Sequence, residues 1–389
     1  MNAKERIISC LNHEEPDFVP SFEASIDNLK IYEYYDEKYP YQGIGKTLKC
    51  VYYLCLGNKK LLNKLYNMLS VKENSIKFDI EPVVNLYRKL GIDLLYVTLG
   101  LYPLFLSKND FIDEYGRKFE FKKNPNDNMD VIYYMGSAFN SFEEYEEFPP
   151  LRLDHPAREK AFKIMNELEK QHEMKICLVP SIMGLMESTW EAFGLENFSP
   201  LLKERKKIFD DRGKFALELT KMVIDWREDT AIFLLDDYGY KHGLFMSPAN
   251  YERYVFPWLR KICNTCHKAG LKVLLHSDGD LMQIFEDLIN CRIDGFHPIE
   301  PSTNNPDYDI FKLKEKYGNS ISFIGNVPPQ DLADKDPQYI KSKVREIIKK
   351  MAPGGGYIFS SGHSINHAVK LENFLAMREE YLKNRRYKS

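Results

Sequence analysis

Short apolar runs rich in Val, Ile, Leu and Phe recur down the chain between polar and turn-forming stretches. They predict strands buried on both faces. Eight stand out: Phe18–Phe22, Asp93–Leu99, Lys175–Ser181, Ala231–Asp237, Lys272–Asp278, Gly295–Glu300, Ser322–Val327 and Tyr357–His363. Between them, Pro156–Glu173, Arg212–Arg227, Pro248–Ala269, Leu281–Asn290 and Asp336–Met351 read as helices, several opened by Pro or Asp and closed by Gly or a turn. Eight strands alternating with helices predict an α/β fold, a (β/α)8 TIM barrel. Neither an internal repeat nor a Pro/Gly/Ser-rich linker divides the chain, so residues 1–389 read as one domain. Residues 101–150 depart from the alternation: Tyr115-Gly116 sits between two alternating segments, which predicts a β-hairpin insertion on the second βα loop. The acidic run after it, SFEEYEEFPP, reads as a solvated loop or a helix cap.

Composition narrows the function classes. Lys plus Arg number 54 against 57 Asp plus Glu, a net charge of -3, so there is no basic footprint for a nucleic-acid backbone. No run approaches the ~18 apolar residues of a membrane span. The first residues read as an amphipathic helix rather than an export signal, which predicts a cytoplasmic protein. Seven scattered cysteines predict reduced, mostly buried thiols. A homodimer stays open.

In a parallel barrel, chemistry gathers at the C-terminal ends of the strands. Those ends read Ser181, then Asp236-Asp237-Tyr238, His276-Ser277-Asp278, Glu300, Asn326 and His363. His276 and Asp278, two apart, point the same way. With His363 they make three candidate metal ligands and leave a fourth position open, the pattern of catalytic zinc. A His-Asp hydrogen-bonded pair without metal is the alternative. A helical pairing of His363 with His367 conflicts with the strand context of His363. Cys263-Asn264-Thr265-Cys266-His267 matches a haem-attachment pattern but falls inside a predicted helix, and Pro353-Gly354-Gly355-Gly356 precedes a strand where a phosphate loop would follow one.

Four segments, ERIISCLNHEEPDFVP, DDYGYKHGLFMSPANYERYVFPWLRKI, GLKVLLHSDGD with GFHPIEP, and GGGYIFSSGHSINHAVKLENFLAM, resemble the uroporphyrinogen decarboxylase superfamily and, more narrowly, its cobamide-dependent methyltransferase branch. That resemblance implies the same barrel. True decarboxylases of the family carry an arginine-rich N-terminal signature that clamps the substrate carboxylates. The equivalent stretch here, FVPSFEASIDNLKIYEYYDE, has no arginine. A substrate with many carboxylates needs several guanidinium partners.

The methyltransferase branch holds zinc with an H-x-C pair and a later Cys. By position these correspond to His276, Asp278 and His363, so both thiolates are replaced. Imidazole and carboxylate leave zinc a harder Lewis acid, suited to an oxygen or amine leaving group. The resemblance thus implies transfer of a methyl from a small donor, such as a methyl ether, to Co(I) of a corrinoid. The chain lacks the D-x-H-x-x-G cobamide motif, so a separate corrinoid protein would carry it. Asp237 and Glu300 are the candidate catalytic groups; Glu187, Asp236, Tyr238 and Asn326 are the candidate substrate contacts. A lyase acting on a smaller carboxylic acid, and a barrel that only binds a ligand, are the competing readings.

Overall fold

The computed structural model describes residues 1–40, 44–99, 102–125, 128–201, 204–226 and 230–387. The strands in chain order are β1 (Leu94–Thr98), β2 (Leu104–Phe105), β3 (Asp110–Ile112), β4 (Arg117–Lys123), β5 (Asp130–Ser137), β6 (Cys177–Met183) and β7 (Ala231–Leu235). After these come β8 (Gly239–Tyr240), β9 (Gly243–Leu244), β10 (Lys272–His276), β11 (Gly295–His297), β12 (Ser322–Val327) and β13 (Tyr357–Ser361).

Seven of them form one parallel sheet in the order β1-β6-β7-β10-β11-β12-β13. The eighth stave expected over Phe18–Phe22 shortens to two residues: Ser21 bridges Phe359 of β13 and Phe22 bridges Leu94 of β1. Pro20 lies inside this run and lacks the N–H that a longer ladder needs. The two residues still close the curl, with Phe22 N donating to Phe359 O at 2.9 Å and Leu94 N to Ser21 O at 3.1 Å. The fold is the TIM-barrel type expected from the alternation of strands and helices.

Side-chain alternation sorts the strand residues into two layers. Leu94, Val179, Phe233, Leu274, Ile324 and Ile358 fill the barrel, and Ala3, Ile7 and Leu11 of the helix Ala3–Leu11 join that cluster. Their neighbours Leu95, Leu178, Leu234, Leu275 and Phe323 face outward into the core under the surrounding helices.

Between β1 and β6 the chain builds a four-stranded antiparallel sheet, β2-β3-β4-β5, larger than the single hairpin expected. Tyr115-Gly116 lies in its β3–β4 turn. The acidic run becomes the helix Phe142–Glu147, capped by Ser141 accepting from Glu144 N. Leu48, Cys55, Leu62, Phe105, Phe111 and Phe121 tie this sheet to the helices Ile44–Leu54 and Lys59–Ser70 in a cluster of its own. The predicted helix end at Arg227 lies outside the described residues; the observed helix runs Arg205–Trp226. All seven cysteines are free thiols and only Cys50 is exposed. No helix among the described residues is long and apolar enough to cross a membrane.

Candidate active site at the barrel mouth

Alternation decides which polar residues enter the mouth. On β7, Phe233 and Leu235 face inward, so Asp237 continues that face and Asp236 turns to the helices. On β10, Leu274 faces inward and His276 follows it. In the β10–β11 register His276 stands opposite His297.

Asp237, His276 and Asp278 each offer one ligand atom, and these atoms lie within 4.8 Å of one another. His276 Nε2 is 3.9 Å from Asp237 Oδ1 and 4.0 Å from Asp278 Oδ1. Asp278 Oδ1 is buried and has no hydrogen-bond partner among the described residues. Asp237 Oδ1 accepts the backbone N–H of Asp278 at 2.8 Å, which fixes the two carboxylates relative to each other. Gly279 permits this loop: its φ is 96°, and a Cβ there would lie 2.5 Å from the backbone of Gly239 and Tyr240.

Of the three ligands read from the sequence, His276 and Asp278 belong to this trio. His363 stands beside it, its Nε2 2.9 Å from Asp278 Oδ2 and its side chain 47% exposed. Asp237 takes the third place, because β7 ends beside β10 whereas β13, which leads into His363, stands three strands away in the sheet. Hydrogen bonding and charge from Asp278 push His363 up to about 9. Burial raises the Asp278 carboxyl, but His276 and His363 outweigh it and hold it at about 2. Burial and the neighbouring Asp278 charge raise Asp237.

The residues read as substrate contacts divide. Asp236, 2% exposed, accepts the backbone N–H groups of Leu185 at 3.0 Å and Glu187 at 2.8 Å, holding the start of the helix Leu185–Phe198. Gly184 allows that approach, since a Cβ there would lie 2.1 Å from the Asp236 carboxyl carbon. Burial pushes Asp236 up to about 7 against those backbone donors. Tyr238, 1% exposed, packs on Tyr251 and Phe256, and its backbone N–H donates to Ser277 Oγ at 2.9 Å. Both therefore support the mouth from behind rather than face a ligand.

Glu187 does reach the mouth, with Oε2 accepting the Asp237 N–H at 3.4 Å. Burial, together with the charges of Asp237 and Glu191, raises it well above the usual carboxylate range. Glu300 accepts from Ser302 N at 3.0 Å in the loop after β11. Asn326 donates to Ile299 O at 2.7 Å, while its buried Oδ1 is unpartnered among the described residues. It lines a cavity of about 290 Å³ with Ile299, Thr303 and Tyr308.

Two participants escaped the sequence reading. His297, fully buried, places Nδ1 2.8 Å from His276 Nδ1 and Nε2 3.3 Å from the Ser361 carbonyl. A strand expected to run on to Glu300 masks it, whereas alternation from Gly295 puts His297 on the inward face. Arg117, from β4 of the inserted sheet, donates to Asp113 Oδ2 at 2.7 Å and Glu191 Oε2 at 2.8 Å, and lies 3.5 Å from Glu187 Oε1. That contact is tertiary and leaves no local sequence signal.

Residues 213–383 match the family model described as uroporphyrinogen decarboxylase (URO-D). A uroporphyrinogen decarboxylase from Coxiella burnetii is 26% identical over 151 residues, 38% of this chain and 39% of that protein. One from Pseudomonas fluorescens is 35% identical over 71 residues, 18% of this chain and 20% of that protein. The chain thus aligns with well under half the length of these curated relatives. A methyltransferase from Methanosarcina mazei superposes with a TM-score of 0.63 at 15% identity, covering 98% of this chain and 99% of that one, which shows a shared fold. The two comparisons agree: over the second half of the barrel the chain is similar to the uroporphyrinogen decarboxylase family, and over its whole length it shares the fold of that methyltransferase.

Proposed function

We propose that this chain is a corrinoid-dependent methyltransferase that moves a methyl group from a small oxygen- or nitrogen-bound donor to Co(I) of a corrinoid carried by a separate protein. The observation that carries this reading is the trio of Asp237, His276 and Asp278 at the mouth, with a buried carboxylate oxygen of Asp278 left unpartnered. One imidazole nitrogen and two carboxylate oxygens suit zinc, and a buried anionic oxygen without a donor is costly unless a cation meets it. Bound there, zinc would act as a Lewis acid on the donor heteroatom. The fold shared with the Methanosarcina mazei methyltransferase is consistent with this use of the barrel.

The chain's own residues would do the rest. Asp237 and Asp278 hold the ligand set in register through their shared N–H contact. His363 extends a half-exposed imidazole over Asp278, placed to donate to a departing oxygen. Glu187, raised by burial, keeps a proton near Asp237 that a leaving alkoxide or amine could take. Asn326 Oδ1, buried and unpartnered among the described residues, would orient the donor. Two aspartates in the trio make a zinc site of about zero net charge, so the preference for oxygen and nitrogen donors rests on ligand hardness and these proton donors rather than on a positive centre.

The lyase reading draws support from the names of the curated relatives. Against it, the mouth gathers Asp237, Asp278 and Glu300, while its buried guanidinium, Arg117, is already paired with acids. A polyanionic substrate would meet like charge.

The test is turnover of zinc-loaded protein with a free or protein-bound corrinoid, followed by the Co(I) to methyl-Co(III) absorbance change across methyl ethers, methylamines and thioethers. Methylation from an ether or amine is expected, and His276→Ala should abolish it together with stoichiometric zinc. Release of carbon dioxide from a carboxylic acid with no methyl transfer would overturn the proposal in favour of the lyase.

A further inference from the structure

Resting on the metal-site reading above, we infer that His297 is a positioning residue that sets the tautomer of His276 and so aims a bare imidazole nitrogen at Asp237 and Asp278. The parallel register of β10 and β11 places the two histidines side by side on the inward face. Their Nδ1 atoms are 2.8 Å apart, so one carries a hydrogen and the other does not.

The far end of the pair settles which. His297 Nε2 lies 3.3 Å from the Ser361 carbonyl oxygen, which can only accept, so the hydrogen of His297 sits on Nε2. His297 is fully buried and adjoins a second imidazole, conditions that keep it neutral. Its Nδ1 is then bare and accepts from Nδ1–H of His276. With its hydrogen on Nδ1, neutral His276 carries its lone pair on Nε2, the atom that faces the two carboxylates.

The reverse arrangement would set a bare His297 nitrogen against a carbonyl lone pair. It would also put a hydrogen on His276 Nε2 with its nearest carboxylate oxygens at 3.9 and 4.0 Å, beyond hydrogen-bond reach. The relay is held rigidly. The Phe22 ring meets His297 edge-on, centroids 5.1 Å apart at 82°, and Ser361 is anchored through its N–H and hydroxyl to the buried Glu23 carboxylate. Partners of this kind fix ligand orientation and raise ligand basicity, and their loss typically costs ~10–100-fold in metal affinity.

The experiment compares His297→Leu with His297→Asn. Asparagine can place an amide oxygen where Nδ1 stood and keep an acceptor for His276; leucine cannot. Zinc affinity is read by competition with a chromophoric chelator, and the His276 tautomer by the ring 15N shifts of zinc-free, [15N]histidine-labelled native protein in mildly alkaline buffer. The leucine variant is expected to lose ~10–100-fold in zinc affinity, the asparagine variant to stay close to native, and native His276 to show a protonated Nδ1 with a bare Nε2. Native-like zinc binding by a folded leucine variant would overturn the inference while leaving the metal site intact. If the native protein takes no zinc, the metal-site reading fails, and the 15N shifts alone decide the tautomer. A protonated Nε2 on native His276 overturns the inference whether or not the leucine variant folds.

Discussion

The second half of the barrel and the inserted sheet are both β-structure, yet they are buried differently and do different work. Strands β12 and β13 are buried at every position, whereas β4 and β5 bury only Arg117, Phe121 and Asp130 and are half-buried or exposed elsewhere. The first region supplies Asp237, His276, Asp278, His297 and His363; the second sends in one buried side chain, Arg117. The family match, residues 213–383, covers the first region and not the second. The candidate trio therefore falls within the family-matched stretch, while the surroundings of Glu187 and Glu191 depend on the inserted sheet, which clamps the helix Leu185–Phe198.

The largest expected effect tests that clamp. Arg117 is 3% exposed and sits among Asp113, Glu187 and Glu191. Arg117→Met leaves three acids without their cation. Removing one partner of a buried ion pair costs about 3–5 kcal/mol, so chemical denaturation should show a loss of that order. Zinc stoichiometry should survive, because no trio residue touches the guanidinium. Loss of zinc together with stability would merge the two regions into one unit.

Much of the barrel was legible because its signal is local: seven of the eight predicted runs became strands of the parallel sheet. The exception, Phe18–Phe22, has the apolar content of a strand, and only tertiary closure shows that two residues suffice. Within the site, clustering of polar groups at strand ends drew attention to the right loops. Separating Asp237 from Asp236 and Tyr238 needed the period-2 count from Phe233, which the sequence contains. Arg117 could not be found that way, since Glu187 and Glu191, the partners that tie it to the mouth, lie about 70 residues downstream on another element. The helices Leu29–Tyr34 through Glu73–Leu90 likewise went unread among the polar stretches before β1.

The next effect is a pH dependence confined to the barrel. Glu23, in the closing segment, is fully buried, and burial pushes its carboxyl up to about 7 despite hydrogen bonds from Ser361. A raised carboxylate means the native state holds a proton that the unfolded chain has released. This group therefore costs no stability below 4.5, its ordinary value, and a growing amount as pH rises to about 7. The full difference is about 3 kcal/mol. Glu23→Gln keeps an acceptor for Ser361 and removes the proton. The stability of the variant relative to native should climb between pH 4.5 and about 7 and then level off. A difference that stays flat across that window would show that Glu23 is ionised in the fold. Repeating the titration on Arg117→Met should leave the slope unchanged if the two regions are independent.

The smallest effect concerns the second link between the regions. Tyr134 of β5 donates its hydroxyl to the Glu191 carbonyl at 2.7 Å, but its side chain is 36% exposed. Tyr134→Phe removes one neutral hydrogen bond at a rim that water can reach, and the aromatic contact with Trp190, centroids 6.3 Å apart, is retained. The expected loss is about 0.5–1.5 kcal/mol, near the lower end because solvent can take over the carbonyl. Zinc affinity and the Glu23 titration should both be unchanged. The informative quantity is the ratio to Arg117→Met, since both side chains join the same sheet to the same helix and differ chiefly in burying a charge. If the two substitutions cost the same, the sheet is held by its general contact with the helix, and the buried guanidinium loses its special place in the clamp.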